Sequence, residues 1–119
     1  IYAWRYHQRN NDVRAISALL QNEDAVAAID EIRAFEKKWG RSGESNFLRG
    51  RAYRYLGDVE QSSRALTQSL NDGYDAARLQ HEQLLLDVQY LKPEINEATA
   101  REILASYQAD IDENGTALV

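Results

Sequence analysis

The chain has 119 residues, of which 44% are apolar and 28% charged, and its formal net charge is −5 at pH 7. That length leaves room for one domain with a modest core, or for part of a longer repeat array. The acidic balance disfavours a nucleic-acid binder that relies on phosphate neutralisation. The sequence contains no Cys, which excludes a disulfide framework, a thiolate metal site and a Cys nucleophile.

The charge is unevenly distributed along the chain. Residues 1–71 carry 11 Lys/Arg and 9 Asp/Glu, whereas residues 72–119 carry 3 and 10. This asymmetry describes the long-range electric field of the molecule and says little about its fold.

Residues 1–10 open with the aromatic and basic sequence IYAWRYHQR. A transmembrane helix looks like this where it leaves the bilayer, so one interpretation is a juxtamembrane segment that follows an anchor before Ile1. The alternative is a frayed first helix whose rings, those of Tyr2, Trp4 and Tyr6, pack on the next helix. Because the sequence contains no Met, we expect the natural chain to begin before Ile1. The sequence has no stretch of about 20 apolar residues, so the segment itself is expected to be soluble.

Apolar residues at helical spacing predict two helices in the first third of the chain. The first runs over about 12–22 with Asn11 or Asp12 as its N-cap, and the second is capped by Asp24 and runs to about Lys38. The positions expected to face the core are Val13, Ile16, Leu19, Leu20, Ala25, Ala28, Ile29, Ile32 and Phe35.

The turn-forming sequence GRSGES separates these helices from a third, which is expected to start at Ser45 or Glu44 and to stop at Gly57. A fourth helix ends at the sequence NDG, where Gly73 can adopt the left-handed conformation that terminates helices. The core positions expected in this pair are Phe47, Leu48, Ala52, Tyr53, Leu56, Val59, Ser62, Leu66 and Leu70.

Two more helices are predicted in the last part of the chain. The fifth runs from about Asp75 to Leu91, and the sixth begins near Pro93, whose missing N–H costs nothing in a first turn. The sequence DENG closes the sixth. Their apolar positions are Leu79, Leu84, Leu85, Leu86, Val88, Leu91, Ala100, Ile103, Leu104, Tyr107 and Ile111. The pattern predicts no strand, and the class is therefore all-α.

Equivalent landmarks recur 34 residues apart, which is the period of tetratricopeptide repeats. The matching pairs are Ala18 with Ala52, Leu19 with Tyr53, Asp24 with Asp58 and Ile32 with Leu66. Residues 46–70, NFLRGRAYRYLGDVEQSSRALTQSL, resemble one such repeat, with the signature places held by Gly50, Ala52, Tyr53, Gly57, Asp58 and Leu70. Close packing explains why small residues occupy such places, since Gly50 and Ala52 let the paired helix approach. The segment departs from the family pattern at Leu66, where an aromatic is expected, and near Tyr74, where a Pro often ends the repeat.

The resemblance implies a right-handed α-solenoid of about three antiparallel helix pairs. Its units would be a degenerate repeat over 11–42, a repeat over 43–76 and an atypical repeat over 77–115, with residues 116–119 starting a further helix. The aromatic and basic entry of residues 1–10 followed by degenerate repeats also resembles membrane-anchored tetratricopeptide proteins of bacteria. That likeness implies a bacterial, membrane-associated protein.

The resemblance implies a non-catalytic scaffold that has no cofactor and whose helical groove receives a peptide or protein partner. First helices of such repeats line the concave groove, so the implied contact residues are Phe47, Arg51, Arg54, Tyr55, Arg78 and His81. An arginine there would pair with a carboxylate while the aromatic rings supply contact area. The alternative is a structural or regulatory segment of a larger, membrane-anchored repeat protein that binds nothing in trans.

His81 and Glu82 begin the pattern of a zinc-protease helix, in which a second His shares the metal one turn later. Leu85 occupies that place, so the pattern does not predict a zinc site.

Asp110, Asp112 and Asn114, followed by Gly115, match the first half of a calcium-binding loop. The bidentate Glu of such a loop would lie two residues past Val119. A helix-ending sequence at a repeat boundary explains the same residues, so we predict no metal and keep calcium as the alternative.

Overall fold

A computed structural model describes residues 2–91 and 96–114, with side chains for residues 2–90 and 96–106. Within these residues the chain forms six α-helices and no strand, which confirms the predicted all-α class. The helices are α1 Tyr2–Gln21, α2 Ala25–Trp39, α3 Gly43–Tyr55, α4 Val59–Asn71, α5 Ala76–Leu91 and α6 Glu97–Asn114. Each helix packs against the next in chain order, and α3 also contacts α1 and α5.

Three helices end in the same hydrogen-bonded turn. In each, a residue with left-handed backbone donates its N–H to the carbonyl three residues back, and the next N–H reaches the carbonyl five back. The bonds are Glu23 to Leu20 and Asp24 to Leu19 after α1, Gly57 to Arg54 and Asp58 to Tyr53 after α3, and Gly73 to Leu70 and Tyr74 to Ser69 after α4. The first two turns are offset by the predicted 34 residues. The predicted left-handed conformation of Gly73 is confirmed, with φ +80°.

Asp24 and Asp58 follow two of these turns and cap the next helices. The carboxylate of Asp24 accepts a hydrogen bond from the backbone N–H of Ala27 at 3.3 Å, and that of Asp58 accepts one from Gln61 at 3.1 Å. Such a bond satisfies one of the free N–H groups of a first helical turn. The cap predicted at Asp24 is therefore confirmed.

Glu23 occupies the left-handed position of its turn with φ +57°, where the two equivalent turns have glycine. A Cβ atom is strained in this conformation by about 1–2 kcal/mol. We expect Glu23→Gly to raise the free energy of unfolding by about 0.5–1 kcal/mol, after the larger entropy of glycine in the unfolded chain is subtracted. Urea denaturation would measure the change. The matched reverse variant is Gly57→Ala, which meets no atom within 4 Å and should lose about 1 kcal/mol through backbone strain alone. A loss of stability in Glu23→Gly would contradict the strained left-handed conformation assigned to Glu23.

One continuous core runs through the first five helices. Twelve of the predicted positions are buried in it, namely Ile16, Leu20, Ala28, Ile29, Ile32, Phe35, Phe47, Leu48, Ala52, Leu66, Leu79 and Leu86. A second cluster joins α5 to α6 through Leu85, Ala100 and Leu104. Three predicted core positions are instead exposed, namely Leu56, Leu70 and Ile103. Leu56 is the C-cap residue that follows α3, and Leu70 lines an open groove between α4 and α5.

The first helix is longer than predicted, because α1 already begins at Tyr2. Asn11 and Asp12 lie inside it, so the N-cap predicted at one of them is wrong. The carboxylate of Asp12 accepts the indole N–H of Trp39 at 2.9 Å and lies 3.5 Å from the ammonium of Lys38. A neighbouring helix, rather than the local backbone, therefore satisfies this side chain.

The start of α3 also differs from the prediction, because Ser42 is its N-cap rather than Ser45 or Glu44. The Ser42 hydroxyl accepts the backbone N–H of Ser45 at 3.1 Å, and the Ser45 hydroxyl accepts that of Ser42 at 2.9 Å. With this reciprocal capping box the helix begins at Gly43, one or two residues earlier than the apolar pattern indicated.

Gly50 lies where α3 and α4 approach each other closely. A Cβ atom built there would lie 2.7 Å from Cδ2 and 2.9 Å from Cγ of Leu66. The hydroxyl of Ser62 donates to the carbonyl of Gly50 at 2.6 Å. The predicted reason for a glycine at this position is confirmed.

The last helix begins at Glu97, and the side chain of Asn96 accepts the backbone N–H of Thr99 at 2.8 Å. The start predicted near Pro93 and the further helix predicted over 116–119 lie outside the described residues. So do the side chains of Leu91, Tyr107 and Ile111, which were predicted to face the core.

Candidate functional site

A cleft of about 330 Å³ lies between α3 and α5 and reaches α6. Its lining consists of Phe47, Arg51, Ala77, Arg78, His81, Glu82 and Arg101. Four of the six residues implied to form a groove, Phe47, Arg51, Arg78 and His81, thus lie together in one cleft. Helical spacing explains this, because residues three or four apart share one face of a helix.

Arg78 covers the aromatic floor of the cleft. Its guanidinium lies 4.7 Å from the centre of the Phe47 ring and donates to the hydroxyl of Tyr74 at 2.7 Å. The two rings are 5.1 Å apart. Burial raises the pKa of Tyr74, although the charge of Arg78 acts in the opposite direction. Phe47 is 3% exposed, so its ring meets a ligand only where Arg78 moves aside.

Arg54 does not reach the surface of the cleft. It is 1% exposed and donates from Nε to Glu82 at 2.9 Å and from a terminal nitrogen to Glu97 at 3.1 Å, with a second bond to Glu97. The predicted contact residue Tyr55 lies beside it, and its ring centre is 4.8 Å from the guanidinium. Arg54 and Tyr55 therefore hold α3 against α5 and α6 from behind the cleft.

The buried charges of this network stabilise one another. Burial by itself would lower the pKa of Arg54, but the hydrogen bond and charge of Glu97 and the charge of Glu82 outweigh it and raise the pKa. Burial by itself would raise the pKa of Glu97, but the hydrogen bonds and charges of Arg54 and Arg101 lower it. Both side chains are thus held in their ionised forms.

Arg51 and Arg101 form the rim where the network meets the cleft. Arg51 places Nε 3.5 Å from Glu82 and donates to the Tyr55 hydroxyl at 3.3 Å. Arg101 donates to Glu97 at 2.9 Å and keeps 45% of its side chain exposed.

The lining of the cleft is predominantly cationic. It contains three guanidinium groups against the single carboxylate of Glu82, and the ring of His81 completes the polar part of the lining. Guanidinium groups pair with planar anions through two parallel hydrogen bonds. The site is chemically suited to a carboxylate ligand.

The sequence patterns did not single out Glu82 or Glu97 as partners of a buried charge. A signal existed for Glu82, because it lies between Leu79 and Leu86 on the buried stripe of α5 and is itself 4% exposed. A charged residue on an apolar stripe requires a partner. No comparable signal marks Glu97, which stands in the first turn of a helix where acidic residues are common.

Among the residues that the structure describes, no group of three metal-ligating side chains converges. The calcium alternative falls on Asp110, Asp112 and Asn114, whose backbone belongs to α6 and whose side chains lie outside the described residues, as does Gly115. No helix in the described part of the chain is long and apolar enough to cross a bilayer. The chain matches no family model, no curated protein and no solved structure.

Proposed function

We propose that this all-α protein is a tetratricopeptide-like, right-handed solenoid of antiparallel helix pairs that acts as a non-catalytic interaction scaffold. The chain-order packing, together with the contacts of α3 with α1 and α5, is what a stack of helix pairs requires of its first helices. The recurring helix-ending turn 34 residues apart supports the same architecture.

The cationic cleft between α3 and α5 is the observation that carries the function. Arg78 and His81 are exposed along its edge, and Phe47 provides an aromatic floor. We infer that the ligand is an acidic peptide segment whose carboxylate pairs with Arg78 and Arg51. Glu82 is already engaged by Arg51 and Arg54, so it does not neutralise Arg78.

Selection from a displayed library of random peptides, followed by fluorescence anisotropy with the best binder, tests this proposal. We expect acidic peptides to be selected. Arg78→Glu should weaken their binding by at least about tenfold, because it replaces an attractive charge with a repulsive one, a change of about 1.4 kcal/mol or more.

Arg33→Glu is the matched control, because Arg33 is an exposed arginine of α2 whose only ion pair among the described residues is with Asp30 one turn away, at 3.8 Å. The control should leave binding within about twofold, since distant surface charges are screened by salt. Equal losses in the two variants would show that net charge, rather than the cleft, attracts the peptide. A library from which no peptide is enriched would instead favour the alternative of a structural or regulatory segment without a ligand in trans.

A further inference from the structure

The first two turns of α1, residues 2–9, are here termed the aromatic tip. Three aromatic side chains there are largely exposed, with Tyr2 at 90%, Trp4 at 64% and Tyr6 at 69%. The interpretation in which these rings pack on the next helix is therefore wrong. Exposed aromatic residues so close together mark a surface that is covered in the working protein.

Tyr2 and Tyr6 lie on one side of the helix and Trp4 lies on the other. Successive residues of an α-helix turn by about 100°, so Tyr2 and Trp4 lie about 200° apart around the axis. A protein partner that packs along one face of α1 covers one of these rings and leaves the other in water. A lipid interface surrounds a helix that passes through the headgroup level, and Trp and Tyr are the residues that favour that level.

The charge of the aromatic tip suits an anionic surface. Arg5 lies over the Trp39 ring at 5.4 Å, Arg9 pairs with Glu44 at 2.7 Å, and the exposed Arg14 follows one turn later. The first acidic residue of the sequence is Asp12, whose carboxylate is engaged by Trp39 and Lys38. Each basic residue near an anionic membrane contributes roughly 1 kcal/mol of attraction.

The acidic half of the chain does not oppose this attraction strongly. Residues 72–119 carry most of the negative charge, but α6 packs on α5 whereas α1 packs on α2 and α3. The molecule is 50 Å long, and charges are screened over about 8 Å at physiological ionic strength. Acidic residues more than about one screening length from the aromatic tip therefore contribute little to the field there.

We propose that the aromatic tip binds anionic lipid headgroups, with its rings at the boundary between water and hydrocarbon. This site is separate from the cleft and does not depend on the proposed peptide-binding function. The rings supply apolar burial, and Arg5 and Arg14 supply attraction to phosphate and carboxylate groups of the lipids.

Cosedimentation of the chain of residues 1–119 with phosphatidylcholine vesicles, with and without phosphatidylserine, tests the proposal. We expect binding to the mixed vesicles to exceed binding to the neutral ones. The variant Tyr2→Ser, Trp4→Ser, Tyr6→Ser should reduce the partition coefficient by at least about tenfold, since three interfacial rings are removed. These side chains are exposed, so the fold should be unchanged by circular dichroism.

A matched control replaces three other exposed apolar residues through Val26→Ser, Leu70→Ser and Tyr90→Ser, and it should bind within about twofold of the wild type. In addition, Trp4→Phe should keep vesicle binding but abolish the blue shift of Trp emission, because Trp39 is partly buried against α1. Equal vesicle binding by the tip variant and its control would overturn the proposal. So would equal binding to neutral and mixed vesicles, or a tip-dependent dimer in ultracentrifugation that does not bind vesicles.

Discussion

Replacing Arg54 with Ala is expected to lower the free energy of unfolding by about 3–5 kcal/mol, a large share of the stability of a domain of this size. Arg54 is the only cation that contacts both Glu82 and Glu97 among the described residues, and it joins α3 to α5 and α6. Its loss leaves two carboxylates in a site from which water is largely excluded. Urea denaturation followed by circular dichroism would measure the change.

The matched control is Arg64→Ala, which removes an ion pair of similar length from the surface. Arg64 pairs with Glu60 at 2.6 Å, but both side chains are at least 70% exposed. Such pairs contribute about 0.3–0.5 kcal/mol, because water already solvates both charges. If Arg54→Ala lowers the free energy of unfolding as little as the control does, the buried network is not what holds α6 in place.

The same network makes the free energy of unfolding depend on pH in the acidic range. The pKa of Glu97 is lower in the folded chain than its usual 4.5, so its contribution is present above that pH and is lost as pH falls through the folded value. We therefore expect the wild-type protein to lose stability below about pH 4.5. Glu97→Gln should start from a lower stability at neutral pH and show a shallower loss on acidification.

The local features of the fold were predictable because they depend on residues that are close in sequence. Asp24 caps α2 and Gly73 ends α4 as expected, since a cap or a left-handed turn is determined within about one helical turn. The buried positions of α2, from Ala25 to Phe35, follow from helical periodicity in the same way. The prediction failed where a polar side chain is satisfied by another helix, as Asp12 is by Trp39.

The buried network could not be predicted because its members are far apart in the chain. Arg54 and Glu97 are separated by 43 residues, and nothing in the local pattern of α3 distinguishes the buried Arg54 from the half-buried Arg49 and Arg51. Periodicity alone does not predict that α3 and α5 share the surface that forms the cleft. That expectation came from the resemblance to tetratricopeptide repeats. It placed Phe47 and Arg78 together but could not show that Arg78 covers the ring of Phe47.

Gly50→Ala is expected to lower the free energy of unfolding by about 1–3 kcal/mol, although alanine is the better helix former by about 1 kcal/mol. The added methyl group would lie 2.7 Å from Cδ2 of Leu66 and 3.4 Å from the carbonyl of Ser62. Relief requires the buried Leu66 side chain to shift or α3 and α4 to separate, and separation stretches the 2.6 Å hydrogen bond from the Ser62 hydroxyl to the carbonyl of Gly50. Urea denaturation would measure the loss.

Leu66→Ala provides the partner variant for a double-mutant cycle at Gly50. Leu66 is 4% exposed, so its truncation alone should cost about 2–5 kcal/mol by opening a cavity. In the double variant the new methyl group at position 50 enters that cavity, so the combined loss should be at least about 1 kcal/mol smaller than the sum of the single losses. Additive losses, or a Gly50→Ala variant more stable than the wild type, would show that α3 and α4 are not packed closely enough to require a glycine.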